Sequence, residues 1–235
     1  MIQLRNIHRD GVPVNLFIQG DRIHRILPFP EEGGLVADEV VDCTGKAVIP
    51  GFVNMHTHAA MVLLRGITED VPLDRWLDRI WAMEAKMDEE FVYWGTRVAC
   101  LEMIKSGTTT FNDQYWFAPY ARQAAVEMGI RPYISFVILD NFNQETAEKQ
   151  RRKCIKLYEQ SREWDEHSHL AMSVHAVYTV SEEMILWASQ FAVDHGMKLH
   201  IHLSETRRRT RTASGPMAAS PPPNTWTRWA SWGRT

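Results

Sequence analysis

The sequence predicts an α/β fold, namely an incomplete (β/α)8 TIM-like barrel of about five βα units preceded by the N-terminal segment of a small β-sandwich. Two observations lead to this prediction. From Gly51 onward, short apolar strand candidates alternate with helical segments, which is typical of parallel strands linked by helices. In addition, no glycine-rich phosphate fingerprint follows the first of these strands, so a barrel is favoured over a doubly wound nucleotide-binding sheet.

Residues 1–50 carry the signals of the sandwich segment. The stretch VNLFIQGDRIHRIL predicts two strands joined by a hairpin turn at Gly20-Asp21, a pair that suits a tight turn. Further β-branched residues and turn glycines follow in VVDCTGKAVIPGF.

Residues 51–205 are predicted to form the partial barrel. Its strand candidates, in chain order, are FVNMHTH, TTTFND, RPYISFVIL, LAMSVHA and MKLHIHLSE. The first helix, DEEFVYWGTRVACLEMIKSG, is predicted to begin at the N-cap Asp88 and to end at Gly107. Further helices are predicted in YARQAAVEMG, in 144–163, and in SEEMILWASQFAVDHG, where Ser181 is the cap.

Composition argues against several classes of protein. A net charge of −3 gives no basic face for a nucleic acid. No apolar run is long enough to span a bilayer, and the N-terminus is too polar for a signal peptide. The three cysteines are widely separated and imply no disulfide framework. We therefore expect a cytoplasmic protein without nucleic-acid or membrane partners.

Two His-x-His pairs form the first candidate site. Residues i and i+2 of a strand share a face, so His56 and His58 project together, as do His200 and His202. At the C-terminal end of a barrel strand this face opens onto the active-site mouth, and paired neutral imidazoles suit Zn²⁺. A bare His-x-His alone, however, favours two polar core residues satisfied by their neighbours. We interpret His200 as a residue of a lower barrel layer rather than as a ligand.

Four other residues are candidates for proton transfer or substrate binding. Glu205 lies three residues after His202, where a carboxylate can shuttle the proton of a metal-bound water, but it could instead open the next helix. His175 ends the fourth strand and could contact substrate or cap the following turn. Glu84 and Trp76 lie in the long connection after the first strand, which is either a pocket wall or a solvated amphipathic helix.

Five ordered motifs together resemble the amidohydrolase superfamily. They are DCTGKAVIPGFVNMHTH, LLRGITEDVPLDRWL, CLEMIKSGTTTFND, SVHAVYTVSEE and HIHLSET. The branch they resemble is that of the 5-methylthioadenosine/S-adenosylhomocysteine deaminases, which also contains chlorohydrolase-like relatives. The resemblance covers the chain up to about residue 206. It implies a small β-sandwich formed by both chain ends, with a (β/α)8 barrel between them.

The resemblance also implies roles for the candidate residues. These are His56, His58 and His202 as ligands of one Zn²⁺ per chain, Glu205 for proton transfer, and Glu84, His175 and Trp76 for binding the substrate. Other divalent metals remain open. The implied reaction is the hydrolytic deamination at C6 of an adenosine-type nucleoside, and deamination or dechlorination of another aminated heterocycle is the alternative. The implied partner is a small-molecule nucleoside or heterocycle, and whether the full-length form is a homo-oligomer stays open.

Two departures from the family pattern change what we expect of the substrate and of the activity of this chain. Members that accept S-adenosylhomocysteine place an arginine in the third strand, and Ile134–Ile138 here contains none. The family pattern also requires a later histidine and a later aspartate, and residues 206–235 contain neither. We therefore expect this chain to be an N-terminal fragment with impaired or no activity, and a non-catalytic truncated product is the alternative to an enzyme.

Residues 206–235 have a different composition from the rest of the chain, with six Arg and three Trp but no Lys, Asp or Glu. We interpret them as an out-of-frame tail without secondary structure. A shifted reading frame forms each new codon from the last base of one codon and the first two bases of the next. In this frame Trp226-Thr227 can only encode Asp. Gly is the only possible residue at three further positions, Met217-Ala218, Trp229-Ala230 and Trp232-Gly233. The restored run resembles the family continuation after HLSET. The loss of one nucleotide, or the gain of two, near codons 206–209 would explain the change.

Overall fold

The structure, a computed structural model of the chain, describes residues 1–206. The predicted out-of-frame tail, apart from Thr206, lies outside the described residues. The chain divides into two compact units, of which the first is Met1–Gly51 and the second begins at Phe52.

The first unit is a four-stranded mixed sheet. Its strands, in the spatial order β3-β2-β1-β4, are β1 (Ile2–Arg9), β2 (Val12–Gln19), β3 (Arg22–Pro28) and β4 (Glu39–Asp42). β2 pairs antiparallel with both β1 and β3, whereas β4 pairs parallel with β1. The predicted hairpin turn joins β2 to β3, and Gly20 has the positive φ of 61° that such a turn requires.

The second unit contains a five-stranded sheet in which every pairing is parallel. Its strands, which follow chain order across the sheet, are β5 (Phe52–Thr57), β6 (Thr108–Tyr115), β7 (Arg131–Ile138), β8 (His169–Ala176) and β9 (Leu199–His202). The sheet is curled, since side chains of the two edge strands β5 and β9 contact each other. The prediction of an α/β fold with an incomplete barrel of five units is confirmed.

Helices connect the strands of this sheet. They are α1 (Leu73–Glu84) and α2 (Glu89–Lys105) between β5 and β6, α3 (Ala118–Glu127), α4 (Gln144–Ser161) and α5 (Glu182–Asp194). The predicted ends of α2 are confirmed, because the Asp88 carboxylate accepts from Phe91 N–H at 2.9 Å and Gly107 follows the helix with a φ of 84°. Ser181 caps α5 by accepting from Met184 N–H at 3.4 Å.

The segment between β5 and α2 contains two helices. A 3₁₀ helix, Ala59–Leu64, follows directly on His58, and α1 comes next. Gly95 of α2 lies so close to the 3₁₀ helix that an added Cβ would stand 2.6 Å from the carbonyl oxygen of Ala60. Only glycine fits there, so this contact fixes the backbone that leaves His58.

Apolar packing holds the helices on the sheet. One cluster joins α2 and α3 to β6 and β7 through Val92, Phe111 and Ile134, and a second joins α4 and α5 to β8 through Met172 and Met184. Within residues 1–206, none of the helices has the length and apolar character needed to cross a bilayer.

Candidate active site

Three histidines converge at the C-terminal ends of two strands that are not neighbours in the sheet. His56 lies on β5, His58 follows it, and His202 ends β9. One ring nitrogen of each lies within 4.8 Å of the corresponding nitrogen of the other two. Because the strands are parallel and the sheet curls, their C-terminal ends meet at one rim, as expected for a barrel.

Hydrogen bonds set the orientation of two of these rings. His58 Nδ1 lies 2.6 Å from the carbonyl oxygen of Gln114, and His202 Nδ1 lies 3.0 Å from that of His175. A carbonyl oxygen only accepts, so each Nδ1 carries the proton and each neutral ring keeps a lone pair on Nε2.

The two Nε2 atoms face each other at 3.2 Å. Neither carries a proton, so a cation between them is the natural partner. A tetrahedral ion about 2.0–2.1 Å from each nitrogen would hold them roughly 3.3–3.4 Å apart. The donor set of the cluster therefore fits a zinc ion.

Burial keeps these imidazoles neutral. Desolvation lowers the pKa of His58 to about 4, and desolvation followed by the nearby His175 lowers the pKa of His202 to about 4. Desolvation also lowers the pKa of the more exposed His56. Neutral imidazole is the form that binds a metal ion.

A cavity of about 150 Å³ opens beside the cluster. Six of the seven residues predicted for the site line it, and these are His58, Trp76, Glu84, His175, His202 and Glu205. His56, the seventh, contacts the rings of His58 and His202 without lining the cavity. The structure thus brings together residues from the end of β5 and just after it, from α1 and β8, and from β9 and the segment that follows it.

Glu84 is held by aromatic residues at the end of β6. Trp116 Nε1–H donates to Glu84 Oε2 at 3.4 Å. Burial raises the pKa of Glu84, while hydrogen bonds from Tyr115 and Trp116 act in the opposite direction. The carboxylate is therefore partly desolvated and positioned to accept hydrogen bonds within the cavity.

His175 is oriented by Thr179. The Thr179 hydroxyl donates to the carbonyl oxygen of Ala176 at 3.2 Å, so its oxygen accepts from His175 Nδ1–H at 2.7 Å. In the neutral ring, Nε2 of His175 is then an acceptor. Trp81 of α1 stands edge-on to this ring, with 6.5 Å between centroids.

Several residues that line the cavity were not predicted from the sequence, notably Gln114, Tyr115 and Trp116 at the end of β6 and Trp81 on α1. The sequence does contain a pattern from which Gln114, Tyr115 and Trp116 could have been predicted. The run QYW directly follows TTTFND at the C-terminal end of a parallel strand, where site residues of barrels collect.

Asp113 of β6 stabilises the backbone next to His58. Its Oδ1 accepts from the Ala59 N–H at 2.7 Å and so holds the turn directly after His58. Complete burial raises the pKa of its carboxyl group to about 7.

A second cavity, of about 790 Å³, adjoins the first. The residues that line both cavities are Trp81, Glu84, Tyr115, Trp116, Val137 and Leu139. Lys153 and Lys156 of α4 line the larger one only. The two cavities therefore lie side by side and share one wall.

The sequence profile described as "Amidohydrolase family" matches residues 47–215, which include every residue of this site. The chain belongs to the amidohydrolase family. The resemblance inferred from the five motifs is confirmed, and the family comprises hydrolytic enzymes.

Curated relatives of this amidohydrolase are nucleoside deaminases. It is 38% identical over 208 residues to the 5'-deoxyadenosine deaminase of Methanocaldococcus jannaschii, covering 88% of this chain and 49% of the relative. It is 42% identical over 197 residues to 5-methylthioadenosine/S-adenosylhomocysteine deaminase 1 of Archaeoglobus fulgidus, covering 83% and 45%. The chain thus spans about half the length of the curated relatives it matches.

Solved structures show the same fold. An adenosine deaminase from Xanthomonas campestris with bound zinc superposes with a TM-score of 0.83 at 28% identity, covering 97% of this amidohydrolase and 54% of that chain. The zinc-containing atrazine chlorohydrolase TrzN of Arthrobacter aurescens has a TM-score of 0.76 at 20% identity, covering 91% and 55%. At that identity the second likeness concerns the fold alone.

Proposed function

We propose that this site catalyses the hydrolytic deamination of an adenosine-type nucleoside with the help of one zinc ion. The observation that carries the proposal is the convergence of three imidazole nitrogens beside a cavity that also presents two carboxylates and a fourth histidine. The similarity to deaminases of 5'-deoxyadenosine and of 5-methylthioadenosine/S-adenosylhomocysteine supports the choice of substrate class.

His56, His58 and His202 would hold the zinc ion. When bound, zinc supplies Lewis acidity, which makes a water molecule acidic enough to lose a proton near neutral pH. His58 and His202 suit this role because their Nδ1 protons are engaged by backbone carbonyls and their Nε2 lone pairs converge.

We assign proton transfer to Glu205. Deamination adds a water oxygen to C6 of the purine and breaks the bond from C6 to the amino nitrogen, so a proton must leave the water and reach the departing ammonia. A carboxylate near both can accept this proton and return it. Glu205 lines the same cavity as His58 and His202, which supports the assignment.

The substrate would be oriented by the remaining residues of the cavity. Glu84 can accept hydrogen bonds from the ribose hydroxyls, and its bond from Trp116 fixes the carboxylate for this purpose. His175, whose ring is oriented by Thr179, can hydrogen-bond the substrate. Trp76 offers an apolar surface on which the substrate can pack.

We further propose that this 235-residue chain alone is impaired in catalysis. Residues 206–235 contain neither the histidine nor the aspartate that the family pattern places after Glu205. Three neutral histidines can still bind zinc, so binding of metal and nucleoside should persist while turnover is weak or lost.

The test is to purify the 235-residue chain and to measure zinc content, binding of 5'-deoxyadenosine, and ammonia release from it. Bound zinc and nucleoside with little ammonia support both proposals. Full turnover would overturn the proposed impairment only. A chain that folds but binds neither zinc nor nucleoside would overturn the proposed function, and preferential binding of an aminated triazine would reassign the substrate class.

A further inference from the structure

Each of the three clustered histidines has a partner at its Nδ1. For His58 and His202 this partner is a backbone carbonyl oxygen. For His56 it is another histidine, because His56 Nδ1 lies 2.7 Å from His200 Nε2. The rings stand nearly perpendicular, with an interplanar angle of 88° and 4.8 Å between centroids.

We propose that His200 is a positioning residue for His56, which it holds in the tautomer that presents Nε2 to the metal. This inference rests on the proposed zinc site and extends it, since His200 itself is not one of the three converging ligands. Metal-binding histidines generally donate their second N–H to such a partner, which fixes both the tautomer and the ring orientation.

This role determines which ring nitrogens of His56 and His200 carry protons. If His56 Nε2 keeps its lone pair, its proton is on Nδ1 and is donated to His200 Nε2. Neutral His200 must then carry its own proton on Nδ1. A neutral imidazole thus occupies a place where metalloproteins often use a carboxylate, and it adds no negative charge to the site.

The tautomer proposed for His200 places a proton on Nδ1, which then needs an acceptor. This atom is buried, and it has no hydrogen-bond partner in the described part of the chain. Ser173, which pairs with His200 across β8 and β9, likewise has a buried Oγ without such a partner.

The first arm of the test reads the tautomers directly. Long-range ¹H–¹⁵N NMR of the metal-free chain, labelled at histidine nitrogens and assigned through single variants, should show both His56 and His200 protonated at Nδ1. A proton on His56 Nε2 in the wild-type chain would overturn the inference, and this measurement needs neither zinc nor catalytic activity.

The second arm measures zinc affinity by competition with a chromophoric chelator. His200→Leu removes the acceptor and should weaken zinc binding by about 10–100-fold, whereas His200→Gln keeps an acceptor oxygen and should recover most of the loss. His169→Leu is the matched control. His169 begins β8, and its ring lies tilted against that of Tyr133 with 4.5 Å between centroids, at the opposite end of the strand from the cluster.

The outcomes separate this inference from the proposed function. Unchanged zinc affinity in His200→Leu would overturn the positioning role and leave the zinc site intact. Failure of the wild-type chain to bind zinc would instead count against the proposed function. If His200→Leu does not fold, the tautomers of the wild-type chain and the affinity of His200→Gln still decide.

Discussion

Nε2 of His58 and Nε2 of His202 lie 3.2 Å apart, although 144 residues separate them along the chain. Both Nδ1 atoms are engaged by backbone carbonyls, so the two lone pairs point at each other. Two unprotonated nitrogens at this distance repel each other unless a cation lies between them. The geometry of this pair is the basis for expecting that metal binding stabilises the fold.

The first prediction concerns the removal of a ligand. His202→Ala should lower zinc affinity by more than about 100-fold, because a direct ligand is lost. This loss exceeds the one expected when only the hydrogen-bond partner of a ligand is changed. Zinc at 100 times its Kd should stabilise the wild-type chain by about 2.7 kcal/mol, and this gain should disappear in the variant. Chelator competition and thermal unfolding with and without zinc measure both effects. His24→Ala, an exposed residue of β3, is the control.

Glu84 provides a prediction for substrate binding. Glu84→Gln removes the charge that would accept from ribose hydroxyls, so nucleoside affinity should fall by about 10–100-fold, the loss of a hydrogen bond to a charged group. Calorimetric titration with 5'-deoxyadenosine measures this change. Glu90→Gln, on the exposed first turn of α2, should bind as the wild type does. Equal affinities for all three chains would show that Glu84 does not contact the sugar.

The substituent at the 5' position should discriminate between substrates. Val137 and Leu139, at and just after the end of β7, line the cavity with apolar side chains, so a carboxylate placed there would lose solvation without gaining a partner. We expect 5-methylthioadenosine to bind at least about 10-fold more tightly than S-adenosylhomocysteine.

Lys153 and Lys156, which line the larger cavity, offer an alternative partner for the carboxylate of S-adenosylhomocysteine. Equal affinity would contradict the prediction. If this equality were lost in the double variant Lys153→Ala/Lys156→Ala, the lysines of the larger cavity would be the carboxylate partners.

A pH-dependent prediction follows from Asp113. Burial raises the pKa of its carboxyl group to about 7, so between about pH 4 and pH 7 the folded chain binds a proton that the unfolded chain has released. Stability from this group is therefore lost as pH rises through that window. Asp113→Asn keeps the acceptor for Ala59 N–H and has no proton to lose.

The free energy of unfolding of metal-free wild-type and Asp113→Asn chains should be compared by urea titration at pH 4.5, 6 and 8. The stability of the variant relative to wild type should increase with pH and level off above about pH 7. A difference that stays constant with pH would mean that Asp113 has an ordinary pKa.

The composition of residues 206–235 gives a prediction at the level of the gene. The DNA across codons 200–240, read on past codon 235, should contain an open frame shifted near codons 206–209 that supplies a later His and a later Asp. The forced Asp and three forced Gly of the shifted reading motivate this expectation. Stop codons soon after the shift would contradict it.

Much of the fold follows from local sequence rules. The alternation of apolar strands with helices, the N-cap Asp88 and the terminating Gly107 are properties of short segments, so the parallel sheet and the ends of α2 could be predicted. The His-x-His spacing likewise places His56 and His58 on one face of β5 because side chains alternate along a strand. The 3₁₀ helix after His58 could not be predicted, since it depends on the close approach of Gly95 to Ala60.

The sequence by itself determined which chemical groups this protein has at the C-terminal ends of its strands, because strand period and parallel connections are local properties. Only the tertiary structure decided which of them meet. The curl of the sheet brings His56 to His200, and the packing of α1 near the end of β6 brings Glu84 to Trp116. These contacts join residues far apart in the chain, and no local pattern encodes the distance between them.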